Sequence, residues 1–424
     1  MRFMLAAALI MLAGEAAAQR ANAPTVSARP ATTDALTNTT RPDADLGTAD
    51  TRDADAALST ARTRSLERDA RRAAAAGFSP RDVMRAYERD TRGTWLRRRE
   101  IVVTAADSGA FAAAEALGLV EQRRNSLTTI GVDVVTYAAP DGANLRAAVR
   151  ALRRAHPHAA IDYNYIFEPQ GDGAVMPESA LVAPRPLVGA ATVAIIDGPI
   201  DQHAGAFATV EFTSQRFVRG PPAPSAHGDA VAAILARTIA ASELRISAAY
   251  VIAAGPIESA AVDDIARGLD WAAGQGGGVI NVSLTGPPSQ TLAVIVHALS
   301  LRGCLVVAAA GNAGPRAAAP FPAALPQAIG VTAVDARGRI WRRATRGDHV
   351  DFAALGVNVE IDRDARVTGT SYATPLVSGL LARMLPGPDP ALAAAAQSRL
   401  AERARDLGAP GRDPVYGLGL LSLQ

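Results

Sequence analysis

The segment Gly369-Thr370-Ser371-Tyr372-Ala373-Thr374-Pro375 runs directly into the apolar stretch Pro375-Leu376-Val377-Ser378-Gly379-Leu380-Leu381-Ala382. Small residues that give way without a break to apolar ones place Ser371 in the first turn of a helix that must be buried. At such an end the backbone N–H groups lack partners within the helix, and the helix dipole favours negative charge. A serine there has two readings. It is a cap that satisfies the helix end, or a nucleophile whose attack generates an anion beside those N–H groups.

Upstream, Ala191-Thr192-Val193-Ala194-Ile195-Ile196 is a β-branched apolar run that ends in Asp197 and then Gly198-Pro199. It reads as a buried strand delivering a carboxylate at its carboxyl end, the edge at which open parallel sheets bind ligands. Taken alone, the segment also fits an aspartate that starts a turn. Asp201 lies past that turn and is expected at the surface. His227, in Ser225-Ala226-His227-Gly228-Asp229-Ala230-Val231-Ala232-Ala233-Ile234, sits just ahead of a small-residue helix. The other histidines, His156, His158, His203, His297 and His349, have no such setting and are expected at the surface or in packing. A further apolar strand, Leu305-Val306-Val307-Ala308-Ala309-Ala310, ends in Gly311-Asn312-Ala313-Gly314. That ending is an ordinary turn or an amide donor among residues small enough to admit a substrate.

Together these four segments resemble the nucleophile, aspartate, histidine and asparagine segments of the subtilisin-like serine proteases. The order Asp197, His227, Ser371, with gaps of roughly 30 and roughly 140 residues, is that family's order. The resemblance implies that Ser371 is the nucleophile and that His227 takes its proton and returns it to the leaving amine. It implies that Asp197 fixes the imidazole tautomer, and that Asn312 and the Ser371 N–H bind the oxyanion. It further implies a three-layer α/β catalytic domain around a mostly parallel sheet. Ser283, Leu284, Thr285 and Gly286, following the strand at Val279-Ile280-Asn281-Val282, resemble the family's strand edge that pairs with substrate backbone. Ala319-Pro320-Phe321-Pro322-Ala323 resembles the segment near its primary specificity pocket. Pro320 there implies a shallow pocket.

Three positions depart from the family pattern: Gly198-Pro199 after the aspartate, Asp229 in place of a threonine, and Ala233 in place of a glycine. Asp229, two residues from the base, is expected to raise the imidazole pKa. These departures keep open an alternative, a catalytically silent subtilase-fold protein that binds or senses, and behind it an esterase built on the same triad. The glycines at 274–278 lack the GxxxxGK[ST] pattern of a phosphate loop and read as a turn. No motif in the sequence establishes a cofactor. Structural calcium is implied by family resemblance only, since no carboxylate cluster has calcium-loop spacing.

The chain has 424 residues and a net charge of +2, and it contains no lysine, so all 43 basic residues are arginine. No basic cluster with interleaved aromatics is present, which leaves nucleic-acid binding without support. Arg2, an apolar run from Phe3 to Ala13 and Ala16-Ala17-Ala18 form a secretory signal peptide over residues 1–18. The run is too short for a comfortable membrane span, no span is expected after the signal is removed, and the expected location is secreted or periplasmic. The only cysteine, Cys304, heads the Asn312 strand and is expected to pack in the core.

Residues 19–76, rich in Ala, Thr, Asp and Arg, read as disordered. Over 77–170, strands at 99–105, 119–124, 131–137 and 160–167 with helices at 111–117 and 145–155 give a β-α-β-β-α-β order, the ferredoxin-like pattern. That order is similar to the inhibitory propeptides of subtilisin-like proteases, whose last strand leads into the active-site cleft. The resemblance implies a zymogen in which the propeptide acts as intramolecular inhibitor and chaperone, with protein or peptide substrates for the mature enzyme. Residues 171–186 read as a linker in which autocleavage is expected, and 187–424 as the peptidase domain.

Overall fold

The computed structural model describes residues 78–423 except for 106–107, 170–171, 174–190, 205–206, 219–224, 240–242, 254–256 and 363–364. The signal-peptide and low-complexity expectations for 1–76, and nearly all of the linker, lie outside the described residues.

The amino-terminal module opens with helix α1 (Pro80–Ala86), where Ser79 and Asp82 form a reciprocal capping box and Pro80 occupies the first turn. Strand β1 (Tyr87–Arg89) pairs with β2 (Trp95–Ala105). Then follow α2 (Gly109–Ala116), β3 (Val120–Leu127), β4 (Val132–Ala138), α3 (Leu145–Ala155) and β5 (Ala160–Pro169). The four long strands lie in the order β5-β2-β4-β3, all antiparallel. This is the ferredoxin-like arrangement. Alternation along β2 explains how the sheet is used. Ile101 and Val103 pack with Phe111, Val149 and Leu152 beneath the module's own helices. Val102 faces the other way, into a core shared with the rest of the chain.

That second core belongs to an eight-stranded sheet. Its strands are β7 (Ala191–Asp197), β8 (Glu211–Arg216), β9 (Leu244–Tyr250), β11 (Val279–Val282), β13 (Leu305–Ala309), β14 (Ala328–Val334), β15 (Phe352–Leu355) and β18 (Leu420–Leu421). They lie in the order β18-β15-β14-β13-β11-β7-β9-β8, and every pairing is parallel. A parallel sheet is covered on both faces, and so inner strands such as β7, β11, β13 and β14 are continuous apolar runs, while the edge strand β8 is polar and mostly exposed. Val193 and Ile195 join a core with helices α4 (Ala226–Thr238), α7 (Thr370–Ala382) and α8 (Pro390–Arg403). Ala194 and Ile196 join the opposite core with α5 (Val262–Gly274) and α6 (Gln290–Leu301). The result is three layers, helix on sheet on helix. The exposed side of α5 and α6 is where the module's sheet docks, and Thr104 on β2 meets Thr291 on α6 at 3.2 Å.

Short strands complete the frame. β10 (Ala260–Ala261) and β12 (Leu284–Thr285) both pair antiparallel with the end of β5. β16 (Val359–Asp362) and β17 (Ala365–Thr368) form a hairpin, and β17 also pairs with β6 (Asp172–Gly173). Among the described residues no helix is long and apolar enough to cross a membrane.

Candidate active site

The carboxyl edge of the parallel sheet gathers the residues singled out above. Asp197 is the last residue of β7, 1% exposed. His227 is the second residue of α4, held by a helix start in which the Ser225 hydroxyl accepts from Gly228 N–H at 3.1 Å. Both Asp197 oxygens lie 3.0 Å from His227 Nδ1, and Oδ1 also accepts from Gly198 N–H at 2.7 Å. A nitrogen facing a carboxylate carries the proton, so the neutral ring presents Nε2 as its basic atom. Nε2 is buried and has no hydrogen-bond partner among the described residues. The imidazole is backed by the Tyr372 ring, with centroids 5.5 Å apart.

Gly198 is a glycine for steric reasons. A Cβ there would lie 2.4 Å from Ser225 Cβ, so the Asp197 and His227 segments can approach only with nothing larger at that position. Asp229 is engaged elsewhere than at the base. Residues two apart on a helix do not face each other, and its carboxylate accepts from Asp201 N–H at 2.7 Å. Burial, followed by the charges of Asp201 and Asp197, pushes its pKa up. Asp201 itself is exposed and Ala233 is buried in the core beneath α4.

Ser371 is the second residue of α7 and fully buried. Its hydroxyl donates to the Ser283 carbonyl at 2.9 Å. Pro375 lies four residues on within the helix, and a proline has no N–H to give the carbonyl of residue i−4. The Ser371 carbonyl left free in this way accepts from the Ser283 hydroxyl at 3.0 Å. Behind it, Asn281 Nδ2 donates to Ser283 Oγ at 3.0 Å and Ser378 donates to Asn281 Oδ1 at 2.9 Å. The start of α7 is therefore fixed by a buried chain of polar side chains rooted in β11.

Asn312 lies just past β13 and is 8% exposed. Its Oδ1 accepts from Thr370 N–H at 3.1 Å and from the Thr370 hydroxyl at 2.8 Å. Because a backbone N–H must find an acceptor, the amide orientation is settled, and the NH2 end turns away from Thr370. Gly311 before it has φ 104°, in the region that favours glycine, and a Cβ would meet Pro320 Cγ at 2.9 Å. Pro320 thus lies against the Gly311 backbone. Leu284 and Thr285 form β12, while Gly286 exchanges backbone hydrogen bonds with Phe321, both at 3.0 Å. Cys304 is buried, and burial pushes its thiol pKa up. Among the described residues no group of three or more His, Cys, Asp or Glu side chains is placed to hold a metal ion.

Residues 190–419, more than half of the chain, match the Subtilase family (peptidase S8). The chain belongs to the subtilase family. Over 250 residues it is 31% identical to the Minor extracellular protease Epr of Bacillus subtilis (strain 168), covering 54% of this chain and 37% of that one. Over 133 residues it is 40% identical to Subtilisin Savinase of Lederbergia lenta, covering 30% and 49%. The matched regions thus span about a third to a half of these relatives. Among solved structures, the subtilase fold is shared with fervidolysin from Fervidobacterium pennivorans, a keratinolytic enzyme related to subtilisin. The TM-score is 0.63 at 19% identity, covering 80% of this chain and 61% of that one. That coverage exceeds what 190–419 supplies, so the likeness in fold takes in the upstream module.

Proposed function

We propose that the protein is a serine endopeptidase that acts through an acyl-enzyme on Ser371 and is made as a zymogen held by its own amino-terminal module. One observation carries this reading. The Asp197–His227 pair, a serine at a helix amino terminus and a strand edge already paired with an extended segment meet at a single sheet edge.

In the working state the Ser371 hydroxyl turns from the Ser283 carbonyl to His227 Nε2 and gives up its proton as it attacks the substrate carbonyl. Asp197 orients the ring and stabilises the imidazolium. Asn312 Nδ2 and the Ser371 N–H receive the oxyanion. His227 then protonates the leaving amine, and water releases the acyl group. In the zymogen, β5 holds the β12 edge and excludes a second peptide. The apolar amino-terminal run, and a relative named as extracellular, favour a secreted or periplasmic location.

The departures from the family pattern fit this reading. Gly198 still donates to the Asp197 carboxylate, Asp229 braces the following loop, and Ala233 is core packing. The silent binding protein thereby loses its motive. An ester substrate would have no use for a backbone-pairing edge. The test compares wild type with Ser371→Ala on a casein-type substrate. Loss of about 10⁶ in kcat, the magnitude for a subtilisin nucleophile, together with a longer unprocessed chain, is expected. Wild-type activity in the purified variant would remove Ser371 from the mechanism.

A further inference from the structure

The His227 imidazole is hydrogen-bonded at one end. Both Asp197 oxygens lie 3.0 Å from Nδ1, and Nε2 has no hydrogen-bond partner among the described residues. A ring gripped at a single atom keeps the freedom to turn about that contact, and the turn displaces Nε2, the atom that must meet the nucleophile. What lies against the ring comes from another segment of the chain. Tyr372, the residue after Ser371, is 3% exposed, and its ring centroid is 5.5 Å from that of the imidazole, with the planes tilted by 46°.

Tyr372 is itself fixed from several sides. Ala230 and Ile234 follow His227 on α4 at the spacing of one helix face, and both share a buried cluster with Tyr372. Val359 of β16 and Val367 of β17 complete that cluster. The Tyr372 N–H donates to the Gly369 carbonyl at 3.1 Å, so the ring leaves the backbone in the first turn of α7, beside the residue that carries the nucleophilic Oγ. The hairpin, one face of α4 and the start of α7 thus grip a single aromatic ring, and that ring bears on the base.

We propose that Tyr372 is a positioning residue for His227, an inference that rests on the serine-peptidase reading above. Its ring limits the imidazole to the orientation in which Nδ1 meets Asp197 and Nε2 is offered to Ser371. An aromatic face also attracts a cation, so the imidazolium formed as Ser371 attacks gains more from the contact than the neutral ring does. Tyr372 acts through the base and takes no part in proton transfer or bond formation. Of the charged groups on the elements packed around α4, Asp197 is the partner of Nδ1. Asp229, on α4 itself, accepts from Asp201 N–H at 2.7 Å. On the hairpin, Glu360 lies 3.5 Å from Arg366 and 3.7 Å from Arg237, at the far end of α4.

The test is the pH dependence of kcat and KM on a casein-derived peptide for purified wild type, Tyr372→Phe, Tyr372→Leu and Ser371→Ala, with thermal unfolding of each. Tyr372→Leu removes the ring and keeps an apolar side chain. It should lower kcat about tenfold, a part of the roughly 10²–10⁴ that a placed base contributes, with KM little changed. The acid limb of kcat/KM should move down by about one pH unit, because the imidazolium loses its aromatic partner and its pKa falls. The conservative Tyr372→Phe should restore both. If Tyr372→Leu does not fold, Tyr372→Met, flexible enough to fill the space without a ring, takes its place in the same comparison. A folded ringless variant that keeps the wild-type limb or the wild-type kcat makes Tyr372 a packing residue only. A Tyr372→Phe that fails as the ringless variant does puts the effect in the hydroxyl. Either result overturns this inference and leaves the peptidase reading standing. Wild type no more active than Ser371→Ala overturns both.

Discussion

The Ser283 hydroxyl donates to the Ser371 carbonyl at 3.0 Å, and the Ser371 hydroxyl donates to the Ser283 carbonyl at 2.9 Å. This reciprocal pair ties the strand edge to the helix start, because Pro375 has removed the N–H that would otherwise hold that carbonyl. Ser283→Ala breaks one half of it and leaves Asn281 Nδ2 and the Ser371 carbonyl without their partner. In a Ser371→Ala background, which prevents self-digestion, the loss should be about 1–3 kcal/mol in a denaturant titration. An unchanged midpoint would mean that water replaces the hydroxyl and that the pair is incidental.

Asn312→Ala should lower kcat by about 10²–10³ with little change in KM, the magnitude of removing one oxyanion donor from a subtilisin. Thermal unfolding measured on the same sample separates this from the loss of the Thr370 contacts. An effect confined to KM would make Asn312 a turn residue only.

The module should inhibit the mature enzyme when added as a separate chain ending at Gln170. Removing the buried Phe167 ring forfeits about 3–5 kcal/mol, so Phe167→Ala should raise the inhibition constant by about 10²-fold or more. Equal inhibition by both forms would place the binding energy away from the cleft.

The docking surface carries its own pH dependence. Asp263 and Asp264 at the start of α5 are buried, and Arg123 of β3 lies 3.6 Å from the first and 3.2 Å from the second. Asp263 also accepts from Thr136 at 2.9 Å and Asn164 at 3.1 Å. Burial, then the charge of Asp263, pushes the Asp264 carboxyl up to about 6 despite Arg267 and Arg123. Asp263, buried but held by Arg123 and its hydrogen bonds, is shifted down. Undocking takes away Arg123, Thr136 and Asn164, which lie against them. A carboxyl with a raised pKa holds a proton in the docked state that it gives up when free, so docking weakens as pH rises through about 6. The lowered Asp263 has the opposite sign and weakens docking only as pH falls below the ordinary aspartate range. Inhibition by the separate module should therefore be tightest near the ordinary aspartate range and fall as pH rises from there through about 6. Asp264→Asn should flatten the limb near 6, and a limb that survives in this variant would assign it to another group.

The strands around 191–197, 279–282 and 305–309 were legible because each is a continuous apolar run, whereas the edge strand β8, Glu211–Arg216, is polar and mostly exposed and gives no such signal. Helix α3 over Leu145–Ala155 falls where its spacing puts it. α1 and β1 are too short for periodicity to register, although Ser79-Pro80-Arg81-Asp82 already spells a capping box. β2 begins at Trp95, four residues before the expected 99–105, because Arg99, at φ 59°, interrupts the pattern without ending the strand. At the site, the local segments around Asp197, His227, Asn312 and Ser371 are visible as motifs. Less so are the residues that orient them. Thr370 on Asn312 and Ser283 on Ser371 are side-chain bonds between segments 58 and 88 residues apart, and neither residue differs in character from an ordinary helix-start or strand-end residue. The same holds for the β5 register on β12, which depends on how two folded units dock.

Labelling by a serine-directed phosphonate tests most directly whether Ser371 is the nucleophile of a peptidase. The mature wild-type protein is treated, its casein hydrolysis is followed, and mass spectrometry locates the adduct. One phosphonate per chain on Ser371, with activity lost in proportion to labelling, is the predicted result. Casein hydrolysis that persists with Ser371 fully labelled, or that is lost with the adduct on another residue, would contradict it.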